Sequence, residues 1–160
     1  MPGAEEAAAQ LRAMSERLRD MSPLTRAIAA DLRTFIDDRF RTGTDPDGRP
    51  WRPLSQTTID RRRRGRGRGS PQPLLDTGRL RGSITAVGTD RAVVFGTNVV
   101  YAPTHQFGRS DNLMFGRTPA PIPARPFLPI SDDGLRFRPS AMMERIREAA
   151  LRWLETGELP

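Results

Sequence analysis

Three observations predict an α+β fold, with a small antiparallel sheet packed against N-terminal and C-terminal helices and long Pro- and Gly-rich loops between them. Apolar residues recur at spacings of three and four near both ends of the chain, the period of an amphipathic helix. Two short runs rich in Val and other β-formers, Ser83 to Val87 and Ala92 to Phe95, stand on either side of a hairpin-length connection. The 15 Pro and 14 Gly fall in clusters between these elements, so much of the backbone must run in turns and extended loops. At 160 residues, 36% of them hydrophobic, the chain is expected to form a single domain, 1–160, around a modest core.

The first helical segment, Ala4 to Met21, carries Leu11, Met14, Leu18 and Met21 as one apolar stripe. Ser22 followed by Pro23 reads as an N-cap with proline in the first turn, and Leu24, Ile28, Leu32, Phe35 and Ile36 continue a second stripe towards Phe40. Together they form N-terminal helices over 1–40, ended by Thr42-Gly43. The run from Gly43 to Pro53 contains three prolines and two glycines, which exclude helix and inner strand. It is expected to be a fixed loop with one large anchor, Trp51. Ser55 then caps a short helix with Leu54 and Ile59 placed as a hydrophobic staple. That helix is expected to dissolve into a flexible Arg- and Gly-rich loop over 61–73.

Beyond it, Asp76-Thr77-Gly78 is a plausible turn ahead of the two strands, and Val99 to Ala102 reads either as a third strand or as the entry to a short helix. The stretch 107–130 is a long loop or arm, longer than compact domains usually tolerate without a functional reason. Its prolines at 121, 123, 126 and 129 favour an extended arm, pinned by Phe127, with Arg125 paired to a carboxylate or carbonyl. A C-terminal helix over 138–156 starts at Pro139, repeats Met143, Ile146, Ala150 and Trp153 at helical spacing, and stops at Gly157.

Composition excludes several chemistries. With no Cys and a single His, His105, there is no disulfide framework, thiolate nucleophile or His-rich metal site, so no cofactor is expected. No run approaches the length of a membrane span, and the acidic, Ala-rich start differs from a signal peptide, so membrane association is not expected and synthesis in the cytoplasm is. The net charge of +7 comes from a chain whose 26 basic residues are all Arg. Six of these, Arg61, Arg62, Arg63, Arg64, Arg66 and Arg68, lie within one stretch and leave the remainder close to neutral. Such a run suits either non-specific contact with a nucleic-acid backbone or a solvated loop, and no interleaved aromatic favours base stacking.

Other constellations have a plain reading beside the sharp one. Asp45 and Asp47 lie in a proline turn that lacks the remaining ligands of an EF-hand. His105, Ser83 and Asp76 can be grouped as a triad on paper, but no nucleophile elbow accompanies them. The loop aromatics Trp51, Tyr101, Phe107, Phe115 and Phe127 suit protein–protein contact or the plugging of a small core.

Read together, the pieces resemble the phage virion morphogenesis family, typified by tail-completion proteins of Mu-like and P2-like phages. The matching pattern runs from Phe40, Gly43, Asp45, Asp47-Gly48 and Trp51-Arg52-Pro53-Leu54 through Thr57-Thr58-Ile59 to Pro73-Leu74-Leu75-Asp76-Thr77-Gly78-Arg79-Leu80-Arg81-Gly82-Ser83-Ile84. It resumes with Phe95-Gly96-Thr97-Asn98, Tyr101-Ala102, His105-Gln106-Phe107-Gly108 and Ile122 to Pro126, Phe127 and Leu128. Parts are also similar to small tail-completion proteins of long-tailed phages. The departure is the Arg61 to Ser70 stretch, whose role cannot be carried over.

The resemblance implies a structural, non-enzymatic virion protein, a tail-completion or neck subunit involved in head–tail connection. It implies a homo-oligomeric ring, hexameric in the family, at the head-proximal end of the tail. Tail-tube, tail-terminator or head–tail connector proteins are the implied neighbours, and the virion is the destination. The expected interaction anchors are Trp51, Leu54, Thr77, Gly78, Leu80, Ser83, Ile84, Tyr101, His105, Phe107, Gly108, Arg125, Pro126, Phe127 and Leu128. The alternative is a nucleic-acid-binding accessory protein of phage assembly that uses the Arg run.

Overall fold

The computed structural model describes residues 2–66, 68–110, 121–134 and 136–159. Among them are six α-helices and one two-stranded antiparallel sheet. The helices are α1 (Pro2–Arg19), α2 (Ser22–Thr42), α3 (Gln56–Arg61), α4 (Arg79–Gly82), α5 (Ala102–Phe107) and α6 (Ser140–Thr156), and the strands are β1 (Thr85–Gly88) and β2 (Val93–Gly96). The strands begin slightly later than the β-propensity suggests, because Ser83 is drawn into the end of α4, its N–H donating to the Arg79 carbonyl at 3.0 Å. Of the two readings of Val99 to Ala102, the helix entry is the one observed.

The chain divides into two compact units. The first holds Met1–Leu32, Ala86–Phe95 and Ser140–Pro160. Here α1 packs on α6, and Arg17 Nη1 donates to the carbonyls of Leu154 at 2.5 Å and Glu155 at 3.2 Å. A cation thereby covers the unpaired carbonyls at the C-terminus of α6, where the helix dipole is negative. The hairpin tip rests on the start of α2: Met21 N–H donates to the Asp90 carbonyl at 3.2 Å, and the Thr25 hydroxyl donates to the Thr89 carbonyl. Gly88 is required there, since a Cβ would lie 2.4 Å from the Thr25 carbonyl carbon.

Two helical stripes differ from the expectation. On α6 the buried residues are Met142 and Trp153, while Met143 is 45% exposed. Met142, Ile146 and Trp153 are spaced by four and seven, which keeps them on one face as well as the expected set does, and only packing chooses between them. On α1 the expected stripe is mostly uncovered, with Leu11 67% and Leu18 52% exposed.

The second unit holds Arg33–Thr85 and Gly96–Pro139. The end of α2 carries Ile36 and Phe40, both fully buried, into it. Gly43, at φ 72, ends that helix, and Thr44 N–H donates back to the Arg39 carbonyl at 3.2 Å as in a Schellman motif. Gln72 Nε2 caps the same helix end, donating to the Phe40 carbonyl at 2.8 Å. Asp37 and Arg81 join α2 to α4 with two parallel hydrogen bonds of 2.6 and 2.5 Å. This bidentate contact holds the Asp37 carboxyl below its usual range.

The Arg-rich stretch departs from the flexible loop expected over 61–73. Arg61 is the last residue of α3, and Arg62–Arg66 continue as a π-helical turn broken by Arg64 and Gly65. Phe115 lies outside the described residues, as do the middle of the 107–130 excursion and Gly67.

Candidate functional site

The Gly43 to Pro53 loop is folded by its own turn chemistry. Asp45 Oδ1 accepts the Arg49 N–H at 2.8 Å, Asp45 N–H donates to the Arg49 carbonyl at 2.8 Å, and Thr44 bridges Pro50. Asp47 pairs with Arg138. Both carboxylates therefore serve the loop and its neighbour, in keeping with a turn and not a calcium loop. The fixed loop delivers Trp51 N–H to the Gly43 carbonyl at 2.8 Å and the indole to the interior. Trp51 is 6% exposed and meets Phe40 edge-on, with ring centroids 5.7 Å apart.

Phe127 packs on the other side of Phe40 at 5.3 Å and is fully buried. The arm that carries it is short of backbone donors because of its prolines, and side chains make up the difference. Trp51 Nε1–H donates to the Pro126 carbonyl at 2.8 Å. Gln106, 3% exposed on α5, accepts the N–H groups of Phe127 and Leu128 at 3.0 Å each and donates to the Leu128 carbonyl at 3.2 Å. Arg125 is 6% exposed and donates from Nε to the Arg52 carbonyl at 2.8 Å and from Nη2 to the Pro53 carbonyl at 3.1 Å. Its backbone N–H donates to the His105 carbonyl at 2.7 Å. Gly108, at φ 78, passes so close to Ala124 that a Cβ would lie 2.9 Å from its nitrogen.

Beside this knot lies a cleft of about 360 Å³, lined in part by Leu54, Leu74 and Leu80. Leu74 holds φ 61, a left-handed conformation that costs a branched residue about 1–2 kcal/mol, while its side chain stays buried. The polar side of the cleft brings together Arg62, Arg79 and Arg125 with one carboxylate, Asp76. Asp76 is already engaged: it accepts the Arg68 N–H at 2.9 Å and lies 3.8 Å from Arg62 Nε. Arg62 is not a free cation of the Arg run. Its side chain is 14% exposed and donates to the carbonyls of Ser70 at 2.8 Å and Gln72 at 3.0 Å.

His105 lines the same cleft and stacks edge-on against Tyr101 at 5.7 Å. Its Nδ1 is buried without a hydrogen-bond partner. Burial first, and then the charges of Arg125 and Arg62, push its pKa below the ordinary 6.5 and keep the ring neutral. Ser83 is occupied elsewhere, its hydroxyl bonded to the Leu80 carbonyl at 2.8 Å and to the Thr97 hydroxyl at 2.6 Å. Among the described residues, Ser83, His105 and Asp76 make no hydrogen bond to one another, so the geometry offers no relay for nucleophilic catalysis.

Residues 3–153 match the model of the phage virion morphogenesis family. The chain belongs to this family. It is also 35% identical over 126 residues to the Mu-like prophage FluMu G protein 2 of Haemophilus influenzae (strain ATCC 51907 / DSM 11121 / KW20 / Rd), an alignment covering 78% of each protein. No solved structure matches it.

Most residues carrying the family pattern fall in the second unit. Trp51, Leu80, Ile84 and Phe127 are buried there, and Pro126 and Leu128 are half-buried at the arm. Leu54, Thr77, Tyr101 and Arg125 line the cleft with His105, whereas Gly78, at φ 76, caps α4 from a left-handed conformation. Phe107 is 45% exposed and is not part of the buried knot. Gln106 and Leu74 carry the family pattern without having been expected as anchors, and Gln72 was in neither set. For Gln106 a signal existed: it sits four residues after buried Ala102, on the inner face of a short helix.

Two outcomes follow from this geometry. Trp51→Ala should lower the unfolding free energy by about 3–5 kcal/mol in urea titration, because it removes a buried ring and leaves the Pro126 carbonyl unpaired. For His105 the sign is set by its lowered folded pKa. Stability should be level above pH 6.5 and fall as pH drops below that value, where the unfolded state takes up a proton before the folded one does. Urea midpoints at pH 7.5 and 5.5, on the protein and on His105→Gln, should show a pH-dependent loss that the substitution largely removes.

Proposed function

We propose that this virion morphogenesis protein is a tail-completion or neck subunit that assembles with copies of itself into a ring at the head-proximal end of a phage tail, without enzymatic activity. The observation that carries this reading is α1. It is an 18-residue helix with Leu11 and Leu18 exposed on one stripe, and nearly all of its other described side chains are open to solvent. Helices of this length draw most of their stability from packing an amphipathic face, so an uncovered stripe calls for a second protein surface. Val87 and Val94 on the hairpin, 58% and 64% exposed, add further apolar area open to solvent. No helix among the described residues is long and apolar enough to cross a membrane, so a bilayer-spanning role for α1 has no support.

Light scattering coupled to size exclusion should give a discrete oligomer for the full chain, alone or with tail-tube, tail-terminator or connector proteins. Leu11→Ser with Leu18→Ser should shift it to monomer while leaving the thermal transition of the rest of the fold in place. A monomer before substitution that binds none of these proteins would remove the reading.

A specific observation also supports DNA contact as a second role. Arg61, Arg63, Arg64 and Arg68 are exposed and make no ion pair among the described residues, unlike Arg62. In a ring around the path of the genome, such cations would meet phosphate without reading bases. Affinity for random-sequence duplex DNA should fall steeply with salt, and replacing these four Arg by Ser should flatten that slope without changing the urea midpoint.

A further inference from the structure

The cleft beside the aromatic knot holds more positive charge than its protein partners neutralise. Arg125 is 6% exposed, yet among the described residues its side-chain acceptors are the main-chain carbonyls of Arg52 and Pro53, neither of which is bonded to Nη1. Its environment works against its charge: burial, and then Arg52 and Arg62, all lower its pKa, and no carboxylate of the described residues offsets them. Arg79 stands exposed at the rim without a side-chain partner among the described residues. Asp76, the one carboxylate among the described residues of the cleft, is taken up by the Arg68 N–H and by Arg62. On His105, Nδ1 is shut in the interior, so Nε2 is the ring nitrogen left to face the cleft, and no described residue bonds to it. A buried cation without a counter-ion is costly, and an anion entering here recovers that cost.

The shape of the cleft decides which anion. Leu54, Leu74 and Leu80 form an apolar wall directly beside these donors. A phosphodiester backbone is bulky and flanked by sugars, and cations that serve it are exposed along a stripe, as Arg63 and Arg64 are, not sunk at 6% exposure. A carboxylate on a slender side chain can reach such a position, and an aliphatic neighbour on the same peptide can cover the leucines. We propose that this cleft is a docking pocket for an acidic peptide segment of a protein partner, in which a Glu or Asp carboxylate meets Arg125, Arg79 and the Nε2 of His105 while an adjacent aliphatic side chain lies on Leu54, Leu74 and Leu80. The pocket is built from one chain, and the proposal therefore stands whether or not the protein forms a ring.

His105 is the single imidazole of the protein and serves as its own reporter. Its Cε1 proton signal in the NMR spectrum of the full chain is followed while acetyl-Gly-Glu-Leu-Gly-amide is added, with the Gln analogue, acetate and a short DNA duplex as separate arms. The Glu peptide should move the signal saturably and raise the pH at which the ring titrates, since a carboxylate beside Nε2 favours the protonated ring, against the burial and then the Arg125 and Arg62 charges that lower its pKa. The Gln analogue should bind about tenfold more weakly, the loss expected for one charge-assisted contact. Arg79→Ser, at an exposed position, should weaken Glu-peptide binding several-fold while leaving the free protein's His105 signal in place. Arg125→Lys should weaken it further if the variant folds. Equal affinity for the Glu and Gln peptides, unchanged affinity in Arg79→Ser, or no movement of the His105 signal would each overturn the proposal. So would acetate matching the peptide, which would mark an adventitious anion site. A DNA duplex that moves the signal at lower concentration than the peptide would reassign the cleft to phosphate.

Discussion

Guanidinium groups donating to main-chain carbonyls supply, in this protein, much of the cross-linking that strand ladders supply elsewhere. Fifteen prolines remove backbone donors, and the described sheet is a single two-stranded hairpin, so many carbonyls of the loop segments have no amide to pair with. A carbonyl left dry and unpaired costs on the order of 1–3 kcal/mol. Arg17 answers this at Leu154 and Glu155, Arg33 at Ile84, Arg62 at Ser70 and Gln72, and Arg125 at Arg52 and Pro53, while Arg33 and Arg39 add a second donor to the Arg81 and Asp45 carbonyls. Arg suits the task better than Lys because its rigid planar fork addresses two acceptors at once and stays charged when half-buried. A basic composition with no lysine is thus partly a structural device. It need not signal a surface made wholly for nucleic acid.

This dual use explains where the sequence was legible. Helix caps and apolar periods have short range, so the second and last helices could be placed from Ser22-Pro23 and Pro139 to Gly157, and the observed α2 and α6 agree closely with those bounds. Trp51 and Phe127 were also legible, because prolines on either side leave a large ring few directions to take. What could not be read is which of several equivalent donors reaches inward. Arg62 sits in a run of four consecutive Arg, and nothing local separates it from Arg63; only the carbonyls of Ser70 and Gln72, brought round by the turn that follows, single it out. The choice of Met142 over Met143 is of the same kind. The exposed stripe of α1 is the opposite failure: the period was read correctly, but a period cannot tell whether the chain's own fold covers it.

The candidate site shows the same division. The residues that carry the family pattern were recognisable in order, Leu74 and Arg79 among them, but their place at the cleft depends on a left-handed backbone at Leu74 and on the first turn of a four-residue helix at Arg79. Neither feature has a compositional sign. Gln106 is a polar side chain whose three hydrogen bonds to the arm replace a missing strand partner, and a lone Gln in a helix does not announce that duty.

The two open features of the molecule are physically unlike, and that difference bears on assembly. An apolar helix stripe is non-directional: it gains roughly 25 cal/mol for each Å² it buries and accepts any complementary apolar surface. A half-buried cationic cleft contributes less net energy, because its ligand must be desolvated, but it rejects every segment that lacks a carboxylate at the right reach. A subunit with only the first would associate without fixed register, and one with only the second would be selective and weak. Under the assembly and docking proposed above, the stripe supplies adhesion and the cleft supplies choice, because a specific interface needs an element that rejects wrong partners as well as one that attracts the right one.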